Sequence, residues 1–366
     1  MFAELITYLR NSWIWPGISE VGQFIGTHLI SGMLPAFLIA GGIAVFLDKQ
    51  RITRLMGAKA SPFVSFPVAA FSGALLTVCS CGVVPIFSGI LTRGAGIGPA
   101  FTFLFSAPAI NLIALTYTFS LLGWKVAFGR VVSVLFCALV IGISMRYIFR
   151  HQEEAIDVPV VMIEDDSDRT DLQTFVFFAL MVLVMLTSTG FFDSITDKLF
   201  QNALSRPFPK LILLLFESLI VISVLKKWFH PEEVRQWLEK SWSLFNMIFP
   251  KVLFGIFVSG LLAAVFPMSR FMSWFDNNTI VANLLISTIG AISYFGTIVG
   301  VNVTSTMIHF GMNMGPAMAF LLSGPSVSLP EIFALIPIMG RDKAIIYLLI
   351  VILTTSISGL VFGMFY

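Results

Sequence analysis

The chain has 366 residues, of which 57% are hydrophobic and 11% charged, with a formal net charge of +2. A soluble domain carries about a quarter charged residues, so the composition excludes one and gives no basis for nucleic-acid or acidic-substrate binding. Three cysteines cannot build a disulfide framework, and the sequence has no phosphate-binding loop for ATP drive from this chain.

Apolar stretches of 18 or more residues recur along the whole length, which reads as many transmembrane helices. The expected fold class is an all-α polytopic membrane protein of about ten spans. The N-terminus lacks the basic-then-apolar order of a signal peptide. Residues 2–18 read as an interfacial amphipathic helix anchored by Trp13 and Trp15. Spans are expected at 21–47, 62–93, 97–122 and 124–149. An acidic, solvated loop follows at 150–172. Two further spans cover 174–192 and 208–225. A second amphipathic helix is expected at 230–242, then spans at 245–265, 280–310, 315–339 and 344–366.

The sequence repeats itself after 217 residues. Gly73 falls on Gly290, Gly94 on Gly311, and Gly98-Pro99-Ala100 on Gly315-Pro316-Ala317. Ser106-Ala107-Pro108 falls on Ser323-Gly324-Pro325, and Gly123 on Gly340. The chain therefore divides into a first repeat (1–149), the acidic loop (150–172), two linking spans (173–229) and a second repeat (230–366). Matched helix breakers in two halves mark a secondary transporter, with the solute site where the breaks meet near the membrane midplane. Breaks are expected at 79–85, 106–111, 296–302 and 323–331. Lipid cannot satisfy the freed backbone groups, so each break must face protein or water. Packing kinks are the competing explanation. An even number of spans between equivalent elements implies parallel repeats, and a single odd crossing inverts them. Lys and Arg divide too evenly under ten spans to orient the chain.

Cys79 and Cys81 form a C-x-C pair in the first break, in the run Thr77-Val78-Cys79-Ser80-Cys81-Gly82-Val83-Val84-Pro85. Two thiols on irregular backbone suit a soft, thiophilic guest held transiently. Their equivalents are Gly296 and Ile298, so the repeat itself does not require them. Two small buried hydrophobes are the plainer explanation. A permanent zinc site needs four ligands, and there is no second C-x-C or His cluster. Ser106, Asn111, Asn302, Ser323 and Ser326 cluster at the breaks as candidate hydrogen-bonding residues. Ser328 and Glu331 also read as a capping box. Glu217 and Glu331 are apolar-segment carboxylates, candidates for proton coupling. A helix-clamping ion pair of Glu217 with Lys251 or Arg130 is the alternative.

The Cys-x-Cys-Gly-x-x-Pro core, the stretch Gly98 to Leu104, Ser106 to Asn111, and Gly324 to Gly340 resemble the ArsP/YraQ-type permease family. The resemblance runs from the first span to the last. It implies a multi-pass permease of the bacterial inner membrane that exports trivalent arsenicals, inorganic or organic. Cys79 and Cys81 would be the soft ligands. The expectation is a permease and not an enzyme, with no cofactor and a metalloid or other small molecule as substrate. Three alternatives stay open: a permease for a sulfur or selenium oxyanion or a transition metal, a membrane thiol oxidoreductase using the Cys pair, and a passive channel.

Overall fold

The computed structural model describes residues 15–26, 29, 33–46, 54–57, 60–75, 80–150, 171–188, 207–265, 274–294 and 296–366. Residues 1–14, most of the acidic loop and Cys79 fall outside the described residues. Every described element is helical. In chain order they are α1 (Trp15–Phe24), α2 (Leu34–Phe46), α3 (Pro62–Leu75), α4 (Ser80–Thr92), α5 (Ile97–Ala109), α6 (Leu112–Leu122) and α7 (Trp124–Ile148). Then come α8 (Asp171–Ser188), α9 (Pro207–Trp228), α10 (Pro231–Val265), α11 (Ile280–Ile292), α12 (Thr297–His309), α13 (Met314–Ser326), α14 (Leu329–Met339) and α15 (Arg341–Phe365). Elements α4 to α7 and α12 to α15 lie at the same offset as the sequence repeat. Their turns are closed by equivalent glycines in the left-handed region, Gly94 with Gly311 and Gly123 with Gly340. The chain is an all-α polytopic membrane protein built from two repeats.

The apolar segment 62–93 is a hairpin. Its arms α3 and α4 have 14 and 13 residues, about 20 Å each at the helical rise and short of the ~30 Å hydrocarbon core. The Gly96 amide donates to the Met56 carbonyl at 2.7 Å. The chain thus leaves α4 at the end where it entered α3. In agreement, α3 runs parallel to α5, with Phe66 beside Gly98 and Gly73 beside Ser106. The second repeat does the same: the Asn313 amide donates to the Phe275 carbonyl at 2.8 Å, and Gly290 lies beside Ser323.

After each hairpin, two half-helices make one bent pass. α5 and α6 meet at 48°, and α13 and α14 at 47°. The full-length helices α7 and α15 then return. Every residue of α5 is buried, as is all of α13 from Gly315 onward. These half-helices are the centre of the molecule.

The hairpins settle the relation of the repeats. The first repeat passes from end to end with α1–α2, with α5–α6 and with α7. The linking helices α8 and α9 add two passes, so the second repeat starts from the opposite end. The packing of equivalent helices agrees. Lys125 of α7 lies over the Tyr366 ring at 5.9 Å, Gly129 meets Phe362, and Lys343 lies over the Phe149 ring at 5.5 Å. Numbers rise on one helix as they fall on the other, so α7 and α15 are antiparallel. They cross where the Cys137 thiol donates to the Thr354 carbonyl at 3.6 Å. Cys137 and Thr354 are equivalent positions, so the pseudo-twofold axis passes between them. The repeats are inverted.

α10 differs from the expected pair of segments. One helix of 35 residues covers both, because no breaker separates Trp242 from Phe245. Pro231 opens it, and Glu233 accepts from the His230 amide at 3.0 Å. α10 runs antiparallel to α1 and α2: Gly260 meets Pro16 at one end, and the Trp237 indole donates to the Leu38 carbonyl at 2.7 Å toward the other. Phe46, Phe177, Phe229 and Trp237 interlock α2, α8 and the start of α10.

Candidate functional site

Between described helices the chain breaks at 110–111 and 327–328, inside the expected stretches. α4 starts at Ser80 and α12 at Thr297, so each of these half-helices begins within its expected break and runs on through it. α4 runs through Gly82 and Pro85, where a break is expected. Pro85 removes one amide early in the helix, which the fold tolerates. Asn302 likewise sits inside α12.

Four half-helices start from these breaks. α4 and α14 run from the break toward one end and pack on each other; α6 and α12 run toward the other and also pack together. Each such pair joins one half-helix from each repeat. Four helix N-termini thus start at the breaks, where dipoles and unpaired amides favour negative charge.

The candidate residues fall into three groups. Cys79 lies outside the described residues. Cys81 is the second residue of α4. At the breaks, Asn111 is buried and its side chain accepts from the Ala114 amide at 2.6 Å, capping α6. The Ser106 hydroxyl donates to the Phe103 carbonyl at 3.3 Å, and the Ser326 hydroxyl to the Leu322 carbonyl at 2.5 Å. The Ser323 hydroxyl is buried with no partner. Asn302 is exposed and accepts from the Tyr117 hydroxyl at 2.7 Å, joining α12 to α6 across the repeats.

Glu331 stands in the first turn of α14 and is fully buried; among the described residues no side chain pairs with its carboxylate, which faces the Ser328 backbone amide. Only this half of the expected capping box is present, since Ser328 occupies the N-cap position without a side-chain cap bond. Tyr347 of α15 lies within electrostatic range of Glu331, and its buried hydroxyl also has no partner.

Glu217 is placed elsewhere. It sits on α9 and accepts from the Thr187 hydroxyl of α8 at 2.8 Å. Neither expected ion pair forms: the Lys251 ammonium donates to the Met247 carbonyl, and Arg130 bonds to α5 and α6. A cavity of about 670 Å³ beside Leu38, Val221 and Trp237 is apolar and lies among the linking helices, away from the breaks. The residue that sequence reasoning passed over is Tyr347. Its signal was available, since Tyr347 occupies the position of Arg130 in the repeat.

Inverted repeats, paired hairpins and broken helices define a membrane protein of the transporter class. Residues 17–364 match the family described as a predicted permease, ArsP_1. The chain belongs to this permease family. It is 38% identical over 349 residues to a UPF0718 protein of Methanocaldococcus jannaschii, covering 94% of each chain. It is 30% identical over 123 residues to a UPF0718 protein of Bacillus subtilis, covering 33% of this chain and 41% of the relative. A protein of Streptococcus mutans described as a two-component membrane permease complex subunit is 30% identical over 122 residues, 33% of this chain and 37% of its own. No solved structure matches the chain.

Proposed function

We propose that this permease is a secondary active transporter that exports trivalent arsenicals, inorganic or organic, by alternating access. The observation that carries the transporter reading is the antiparallel pairing of equivalent elements. One hairpin opens from each end, and their half-helices start at the breaks. Closing one side while opening the other exchanges the roles of two copies of one structure.

The arsenical reading rests on Cys79 and Cys81 and on the family motifs around them. Trivalent arsenic as a neutral hydroxide exchanges hydroxyls for thiolates and is released by the reverse exchange with water. Both steps conserve its oxidation state. Asn111, Ser106, Ser323, Ser326 and Asn302 supply hydrogen-bonding groups at the breaks. Glu331 is the proton carrier in this reading. Among the described residues it is buried without an ion-pair partner on a half-helix, whereas Glu217 holds α8 to α9.

Charge orients the chain in the bacterial inner membrane. Arg54, Arg93, Arg146, Arg150, Lys226, Lys227, Arg235, Lys240, Arg341 and Lys343 lie toward the end at which the first hairpin opens. Among the described residues, Lys125 and Lys210 lie toward the other. The positive-inside rule puts the first hairpin's opening in the cytoplasm.

Efflux of arsenite and of phenylarsenite from cells lacking other arsenic exporters tests the thiol assignment. The Cys79→Ser and Cys81→Ser variants are expected to fall to background while reaching the membrane in normal amounts. Intact export by the double variant removes the thiols from the mechanism. A selenite or zinc phenotype without an arsenical one turns the reading to another solute. Reversible oxidation of the pair with no export phenotype turns it to the oxidoreductase.

A further inference from the structure

Among the described residues, Arg130 is a buried cation without a counter-charge. It is 1% exposed, on α7. Its Nε donates to the Ala109 carbonyl at 3.1 Å and its Nη1 to the Thr118 hydroxyl at 2.7 Å. Nη2 has no partner. Among the described residues no carboxylate pairs with it. A lone guanidinium inside a membrane protein is costly and faces an interior site or an aqueous path. Ala109 is the last residue of α5, so the group lies against the break at 110–111, where α6 begins.

The inverted repeat shows what is missing. Arg130 and Tyr347 are equivalent, and so are Ala114 and Glu331. In the second half, position 331 places a carboxylate in electrostatic range of residue 347. In the first half, position 114 is a fully buried alanine, and the residue across from it is the cation. This half keeps the positive partner and lacks the negative one. The N-terminal dipole of α6 favours the same sign of guest.

We propose that Arg130 is a substrate-binding residue and that the guest beside it is a small oxyanion, seated where the second repeat carries the Glu331 carboxylate. This rests on the reading of the breaks as the solute site and narrows the substrate to an anionic or anion-forming species. A planar guanidinium matches two oxygens of such an ion. The alternative role is structural: Arg130 caps the C-terminus of α5 through Ala109 and binds nothing.

Thermal unfolding of the purified protein in detergent separates the two. The probes are sodium selenite and sodium sulfite, against sodium chloride at matched ionic strength. Wild type is expected to gain about 2 °C or more with at least one oxyanion. Arg130→Gln is expected to lose that gain. Ala114→Glu supplies the missing carboxylate internally, so it is expected to unfold at a higher temperature than wild type in chloride and to show no oxyanion gain. An oxyanion gain that persists in either variant overturns the proposal, as does a wild type that no oxyanion stabilises. Should Arg130→Gln not fold, Ala114→Glu decides alone. Arsenical efflux is scored separately. Arsenical efflux without an oxyanion response overturns this inference and leaves the arsenical reading standing; an Arg130-dependent oxyanion response without arsenical efflux overturns the arsenical reading and leaves this inference standing.

Discussion

Glu331→Gln is expected to make the protein more stable and less active at once. The native carboxylate is fully buried, and among the described residues it has no side-chain partner, only the Ser328 backbone amide. Holding a charge at such depth costs about 2.5–3.5 kcal/mol on an insertion scale. The amide has the same shape and no charge, so its unfolding temperature should rise. Gradient-driven export should fall by about tenfold or more, the effect of about 1.4 kcal/mol on a rate, because the amide cannot carry a proton. Solute exchange across vesicles without a gradient should survive, since it needs no net proton movement. Export at the wild-type rate would remove Glu331 from coupling. A fall in stability with equal loss of exchange and export would make it structural.

Gly142→Val and Gly359→Val are expected to damage folding to the same degree. These are equivalent positions on α7 and α15. A Cβ at Gly142 would stand 2.8 Å from the Gly98 carbonyl oxygen, and one at Gly359 would stand 2.7 Å from that of Gly315. Side chains stand in the way too, Thr102 and Phe66 at Gly142 and Ala319 and Asn283 at Gly359, but the two carbonyl oxygens are backbone atoms of the buried half-helices α5 and α13 and cannot rotate aside. Small residues at such crossings let helices approach closely in membranes, and overfilling a packed site costs about 1–3 kcal/mol. Gly22 is the control, because nothing lies within 4 Å of a Cβ there. Gly22→Ala should leave the unfolding temperature unchanged or raise it. Valine tolerated at either crossing would contradict the packing of α5 on α7 and of α13 on α15.

Much of this was legible in the chain itself. The 217-residue repeat rests on matched Gly and Pro positions, and those residues do close the turns at 94, 123, 311 and 340. The breaks after Pro108 and Pro325 were readable for the same local reason. Proline was a poorer guide at Pro85, where one missing amide bends nothing decisively and the helix continues.

The hairpins were not legible. A 30-residue apolar stretch with a central break reads equally well as one kinked span or as two short arms. The deciding contact is non-local, Gly96 to Met56 and Asn313 to Phe275. From that ambiguity followed the sense of the repeats and the orientation in the membrane, since both depend on counting passes. Arg130 was visible as a charge in an apolar segment. Its lack of a carboxylate partner among the described residues was not, because only the fold shows that Glu217 bonds to Thr187 instead.

The inverted arrangement is tested most directly by the side from which each hairpin can be reached. Thr92 and His309 are equivalent, exposed residues at the ends of α4 and α12. A membrane-impermeant maleimide, applied to whole cells and to inside-out vesicles, should label Thr92→Cys only from the cytoplasmic face and His309→Cys only from the outer face. Labelling of both from the same face would contradict the inverted repeat and the alternating-access mechanism built on it.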